Sequence, residues 1–270
     1  MTTAPPLLQI EHLTIAFPGP AAPVVDDVSL SVAPGETLGV VGESGSGKSL
    51  TALSVVGLLP TAARLTTGRI CFQGRELTGL PERELRAVRG AGIGVIFQEP
   101  MTALDPVMRV GDQIAEALEV HGRLGGRAAR ERAVELLRAV RIPDPERRSR
   151  DFPHQLSGGM RQRVMIAIAL ACRPPLVIAD EPTTALDVTV QAQVLDLLRE
   201  LRHDYGLSLL LITHDFGVIA ETADRVVVMH HGRVVEEGPV RRVLRAPADP
   251  YTRQLLAAVP GRAGRPAGGL

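Results

Sequence analysis

The stretch GESGSGKS, Gly42 to Ser49, limits what this chain can fold into more than any other. It follows the apolar run Thr37-Leu38-Gly39-Val40-Val41 and precedes Leu50 to Leu59, which reads as a helix stopped at Pro60. Strand, glycine loop and helix are the context that G-x-x-x-x-G-K-[ST] needs before it carries meaning. Glycines let the backbone curl so that successive N–H groups point inward, and the helix N-terminus adds partial positive charge, which makes a cradle for phosphates. Lys48 is then placed to reach the β and γ phosphates of a nucleotide, and the Ser49 hydroxyl to hold Mg²⁺. Lys48 is also the only lysine among 30 Lys and Arg residues. A compact ammonium fits between a loop and two phosphates, where a broad planar guanidinium does not.

The rest of the composition narrows the class. With 270 residues the chain can bury a substantial core as one large domain or a domain with a satellite. Hydrophobic content of 45% with 3% aromatic and no Trp makes that core aliphatic, which favours α/β packing. A net charge of zero gives no electrostatic case for binding nucleic acid. Cys71 and Cys172 lie far apart in apolar segments and read as buried free thiols in a reducing compartment. No apolar run approaches the ~20 residues that span a bilayer, and the N-terminus lacks a basic region followed by an apolar one. The expectation is a cytoplasmic chain whose link to any membrane runs through other chains.

Leu7 to Phe17 and Val24 to Val32 alternate, with Val28, Leu30 and Val32 on one face, and predict antiparallel strands with one covered side. Thr67-Gly68 reads as a turn into the short strand Arg69 to Phe72, followed by a turn at Gln73-Gly74. In this small sheet Phe17 is a candidate platform for a nucleotide base, the alternative being that it fills the sheet's own core. Pro81 to Arg89 reads as a short helix and Ile93 to Phe97 as a buried strand ending at Gln98. Polar residues that finish such strands collect at the edge where ligands bind, so Gln98 is a candidate contact for Mg²⁺ or water, with a surface turn as the alternative. From Pro100 to about Gln155 the period is helical: Val110, Ile114 and Leu118 share a face, as do Val134, Leu137 and Val140, with Glu116, Arg130 and Glu131 opposite. Gly122 to Gly126 separates the two as a flexible link.

LSGGMRQR, Leu156 to Arg163, opens a helix that Ser157 can cap, with Gly158 and Gly159 leaving its first N–H groups bare. A second anion-seeking helix start has no task within a chain that holds one phosphate loop. Leu176 to Asp180 is a buried parallel strand whose end, Asp180-Glu181, carries two acids. Asp180 would hold Mg²⁺ directly or through water, and Glu181 would orient and deprotonate an attacking water. Thr184-Ala185-Leu186-Asp187 turns into a long helix, Val190 to His203. Leu207 to Thr213 is another buried strand, and it delivers His214 to the same edge. Arg225 to Met229 and Gly232 to Glu236 form a hairpin around His230-His231, Pro239 to Arg245 a short helix, and Asp249 begins a helix that ends at Pro260. The last ten residues, rich in Gly, Pro and Arg, read as disordered.

These residues together resemble the ATP-binding subunit of an ABC transporter. The resemblance covers nearly the whole chain through five ordered signatures: Gly42 to Ser49, Gln98, Leu156 to Met160, Asp180-Glu181 followed by Ala185-Leu186-Asp187, and His214. It implies an α/β fold: a P-loop core with a small antiparallel β subdomain and a helical subdomain over residues 98–157, the core divided between residues 1–97 and 158–238, and a C-terminal extension beyond. It implies ATP and Mg²⁺ as ligands, with Gly42, Glu43, Ser44, Gly45, Ser46, Gly47, Lys48, Ser49 and Leu50 around the triphosphate, and Ser49, Gln98 and Asp180 about the metal. Two such subunits pack head to tail in the family, which would give Ser157, Gly158, Gly159 and Asp187 a task in trans.

Within the family the wording is similar to dipeptide, oligopeptide and nickel importers, in Gln98 to Thr102, Pro153-His154-Gln155, Met160 to Ala167 and Pro250-Tyr251-Thr252-Arg253. Asp105 stands where Asn is more usual and Asp249 where His is common. The resemblance implies two transmembrane permease subunits, a second ATP-binding subunit that is a paralogue or another copy, an extracytoplasmic substrate-binding protein, and a peripheral place on the cytoplasmic face of the membrane. The alternatives are a nickel or metal-chelate importer and a soluble ABC-type ATPase acting on nucleic acid or ribosomes.

Overall fold

A computed structural model describes residues 5–19, 22–184 and 186–258. In chain order the elements are β1 (Leu8–Ala16), β2 (Val25–Val32), β3 (Thr37–Val41), α1 (Lys48–Val55), β4 (Arg64–Phe72), β5 (Arg75–Glu76), α2 (Glu82–Val88), β6 (Ile93–Ile96), α3 (Pro100–Ala103), α4 (Val110–Val120), α5 (Gly126–Ala139) and α6 (Pro145–Arg148). After a 3-10 turn at Pro153–Gln155 follow α7 (Gly158–Leu170), β7 (Leu176–Asp180), α8 (Val188–Tyr205), β8 (Ser208–Thr213), α9 (Phe216–Thr222), β9 (Arg225–His230), β10 (Arg233–Pro239), α10 (Val240–Arg245) and α11 (Pro250–Ala257). The chain divides into two compact units, Met1–Thr78 with Leu211–Leu270, and Gly79–Leu210.

In the first unit β2, β1, β4 and β5 form an antiparallel sheet, and β3 pairs in parallel with β9, whose other edge takes β10 antiparallel. Its covered faces are mostly aliphatic, as the composition predicts: Leu8, Ile10, Leu13 and Ile15 of β1 alternate inward, and Val28, Leu30 and Val32 of β2 are buried with them. Three readings of this unit change. The first helix stops short of Pro60, because Leu58 N–H reaches Leu53 O and Gly57 N–H reaches Ser54 O around a left-handed Gly57, a glycine C-terminal cap. Thr67-Gly68 is no turn: β4 runs straight through it, and Gly68 lies where the β1–β4 register slips, so close to Leu13 that a Cβ would stand 2.6 Å from its Cα. Cys71 is half-buried rather than buried, because it points away from the side that Ile70 and Phe72 fill, while Cys172 is buried, and both thiols are free. α9 was not read from the sequence at all; Asp215 caps it by accepting Gly217 N–H at 2.6 Å, and its Ile219 packs where β3 has Gly39.

In the second unit β6 and β7 pair in parallel, and the chain leaves through β8, whose first amide, Ser208 N–H, donates to Pro175 O at 2.8 Å. The stretch between β6 and β7 is wholly helical, as its period predicts. The buried face of α4 carries Val110, Ile114 and Leu118. On α5 Leu137 and, at its C-cap, Val140 are buried as expected, Val134 lies at the margin, and Ala129, Ala133 and Leu136 join the buried face. Small alanines can sit at the closest approach of two helices, which a count of large apolar residues overlooks. Buried Gln113 ties down the loop before α4 by donating to the carbonyls of Asp105 and Met108 and accepting Asp105 N–H. Asp105 Oδ1 accepts Val107 N–H at 2.9 Å, a task that the amide oxygen of Asn performs equally well.

Among the described residues no helix is long and apolar enough to cross a membrane. The last helix ends at Ala257, short of the expected Pro260; Ala185, Pro260 itself and the final ten residues lie outside the described residues.

Candidate functional site

In the first unit the loop between β3 and α1 is forced into its curl by its neighbours. Gly42 faces the Met229 carbonyl so closely that no Cβ could stand there, and Gly47, at φ 97°, approaches Val24 O, 2.8 Å from where a Cβ would be. Ser46 and Lys48 are buried, whereas Glu43, Ser44 and Gly45 are exposed; Ser49 and Leu50 in the first turn of α1 are half-buried. Lys48 Nζ donates to Gly42 O and Glu43 O, each at 2.8 Å, so the ammonium stands in the hollow of the loop. Thr51 closes the first turn of α1 with its hydroxyl on Gly47 O at 2.9 Å. A curled glycine loop that opens a helix and carries a buried ammonium fits phosphate.

Two more residues of this unit were singled out by sequence. His214 follows β8 directly and is exposed, and the next residue opens α9. Phe17 lies just past β1 with 38% of its surface exposed, so it does not fill the core of the small sheet. Sequence reasoning gave Tyr251 no role in the site, yet its phenol oxygen accepts the Glu43 N–H at 3.1 Å, from 208 residues away. Burial pushes the Tyr251 phenol above its ordinary value, so it stays protonated through the neutral range.

In the second unit the parallel strands β6 and β7 carry Gln98 and the two acids to adjacent strand ends. Asp180 is the buried last residue of β7, 6% exposed. Glu181 follows at φ 45°, a left-handed conformation uncommon outside glycine. Its carboxylate is oriented from two sides: Thr184 Oγ1 donates to Oε2 at 2.7 Å and Gln98 Nε2 to the same oxygen at 3.1 Å. Gln98 is exposed, and its amide is tied to the acid. Thr184 was missed as a partner, although its place three residues after the acid suits a turn that folds back on it. Carboxylate, amide and hydroxyl oxygens are the hard donors that Mg²⁺ takes, and a buried carboxylate such as Asp180 fits a place beside a cation.

Ser157 caps α7 as read, its Oγ accepting Met160 N–H at 3.3 Å. Asp187 does the same for α8, accepting Val190 N–H at 3.0 Å. The two helix starts meet: a Cβ on Gly159 would stand 2.6 Å from Val190 Cγ1 and one on Gly158 3.7 Å from Leu186. Ser157, Gly158 and Asp187 are exposed, as is Val188 at 82%. The structure thus gathers the signature stretch and the Asp187 segment into one exposed face of the second unit.

Residues 25–184 match the ABC transporter family model. The chain is 53% identical over 95% of its length to a probable peptide ABC transporter ATP-binding protein of Sinorhizobium fredii, covering 77% of that protein. It is 54% identical over 96% of its length to a peptidoglycan transport ATP-binding protein of Agrobacterium fabrum, and spans about half (48%) of that longer relative. Among solved structures, a dimeric ATP-binding cassette in a post-hydrolysis state bound to ADP and Pi superposes with a TM-score of 0.77 at 30% identity, over 87% of this chain and 99% of that one.

Proposed function

The chain belongs to the ABC transporter family, and on that premise we propose that it is the ATP-binding and ATP-hydrolysing subunit of an importer for dipeptides and oligopeptides. The observation that carries the reading is the curled loop from Gly42 to Lys48 with its buried ammonium, on a chain about half identical to a relative named for peptide transport.

Each residue takes a task that its surroundings suit. Loop amides from Ser44 to Leu50 hold the α and β phosphates, and Lys48 spans the β and γ phosphates. Ser49 and Asp180, with Gln98 beside them, would hold Mg²⁺, which when bound would supply neutralisation of the phosphate charge. Glu181, kept in orientation by Thr184 and Gln98, takes a proton from the water aligned with the γ phosphorus, and His214 steadies the γ phosphate. Phe17 stacks on the adenine. Ser157, Gly158, Gly159 and Asp187 face the nucleotide of a second ATP-binding subunit, a paralogue or another copy. The pair works on two permease subunits at the cytoplasmic face of the inner membrane, with an extracytoplasmic binding protein delivering substrate. ATP draws the two cassettes together and hydrolysis releases them.

The experiment is reconstitution of the chain with its permease and partner ATPase subunits in proteoliposomes. Peptide-loaded binding protein is expected to raise ATP turnover several-fold, and Lys48→Ala to abolish both nucleotide binding and turnover. Parental ATP affinity in Lys48→Ala sinks the nucleotide assignment, and stimulation by a nickel chelate but not by peptide sinks the substrate.

A further inference from the structure

The peptide unit between Gly42 and Glu43 is held at both ends. Its carbonyl, Gly42 O, accepts from Lys48 Nζ at 2.8 Å, and its N–H, on Glu43, donates to the Tyr251 phenol oxygen at 3.1 Å. An amide whose N–H is engaged becomes a better acceptor at its oxygen, so the two bonds strengthen one another. Lys48 also reaches the next carbonyl, Glu43 O. The phenol therefore fixes the plane that sets where the ammonium stands.

Tyr251 is itself braced. Its ring stacks on His230 at 3.7 Å between centroids, tilted by only 14°, and His230 ends β9, the strand that runs beside β3. Asp249 Oδ1 accepts Tyr251 N–H at 2.8 Å and so caps α11. The turn before it is pinned by Glu236 of β10, whose carboxylate accepts Ala248 N–H at 2.9 Å and Asp249 N–H at 3.1 Å. At 8% exposure the tyrosine leaves little room for water to replace its oxygen. A helix that only covered the core would need the ring but not the hydroxyl.

Resting on the nucleotide-binding reading above, we propose that Tyr251 is a positioning residue for Lys48: through the Gly42–Glu43 peptide, the C-terminal helix holds the ammonium where the β and γ phosphates arrive. The hydroxyl alone carries this role. Tyr251→Phe keeps the stack on His230 and removes only the acceptor.

The test uses the full chain. Tyr251→Phe is expected to bind ATP about fivefold more weakly, the effect of one lost neutral hydrogen bond. ADP, which lacks the γ phosphate, is expected to suffer less, and the melting temperature to stay within about 2 °C. A second readout comes from the composition: the chain has no Trp and two Tyr, so Tyr205→Phe leaves Tyr251 as the sole intrinsic fluorophore of these types. Its emission should change saturably with ATP, with the midpoint found by calorimetry. Parental ATP affinity in Tyr251→Phe, an equal loss for ATP and ADP accompanied by a fall in melting temperature, or emission in Tyr205→Phe indifferent to ATP each overturns the proposal. Lys48→Ala separates the two readings. If it keeps ATP affinity, the nucleotide site is wrong; if it loses affinity while Tyr251→Phe does not, the positioning role alone fails.

Discussion

Glu181 is the residue on which turnover should hinge, and its backbone sets it apart. A non-glycine residue at φ 45° costs energy and persists only where its surroundings over-determine it. Here they do: Thr184 N–H holds Glu181 O at 3.1 Å, while Thr184 Oγ1 and Gln98 Nε2 converge on Oε2. Glu181→Gln keeps an oxygen for both donors and removes the base. Nucleotide affinity should stay within about threefold of the parent while phosphate release falls at least roughly a hundredfold, as for loss of a general base. Phosphate release at the parental rate would show that another group takes the proton. A strand ending in Asp-Glu was legible because apolar runs that stop at acids are rare in surface loops. The left-handed turn was not, since glutamate carries no preference for it and only the bonds to Thr184 and Gln98 reveal it.

Elements were legible where they announce themselves by period or punctuation, and lost where a partner decides. The seven residues of α9 are too few to show a period, and Pro60 is the louder stop signal in the sequence, although a left-handed glycine cap at Gly57 ends the helix before the proline is reached. The bulge at Gly68 depends on β1, which local residues cannot report. Least legible was the seat of α11. Asp249, where family members often carry His, works there as a helix cap. Burial alone would push the Glu236 carboxyl up, but the N–H groups of Ala248 and Asp249 and the nearby Arg242 hold it below its ordinary value of about 4.5. A carboxyl depressed in the folded state stabilises above its unfolded pKa and ceases to as pH falls through the folded one. Docking of α11 should therefore be constant from neutrality down to about pH 5 and weaken below the ordinary glutamate range. Hydrogen exchange of residues 250–257 should report the loss, and Glu236→Gln should show faster exchange already at pH 7. Protection, corrected for the intrinsic exchange rate at each pH, that stays constant down to pH 3 would mean that Glu236 does not hold the helix.

At the scale of the whole molecule the question is why a chain with one phosphate loop should present a second anion-seeking helix start. Ser157 and Gly158 are exposed beside Asp187 and Val188, the latter 82% exposed, and a valine so placed on a helix start suits a face that another chain covers. In the proposed pair the Ser157 hydroxyl meets the γ phosphate of the neighbour, and this can be separated from its structural task of capping α7. Aspartate caps as well as serine and complements the helix dipole, so Ser157→Asp should keep the melting temperature within about 2 °C. Its added charge opposes a triphosphate across the seam. In a Glu181→Gln background, ATP should double the mass seen by light scattering if the chain pairs with a second copy, or add the mass of the paralogue when that is supplied. Ser157→Asp in the same background should remain single while each chain still binds ATP with near-parental affinity. Pairs that form as readily with aspartate as with serine would place the γ phosphate away from α7 and leave the exposed Ser157 to Val188 face without its neighbour.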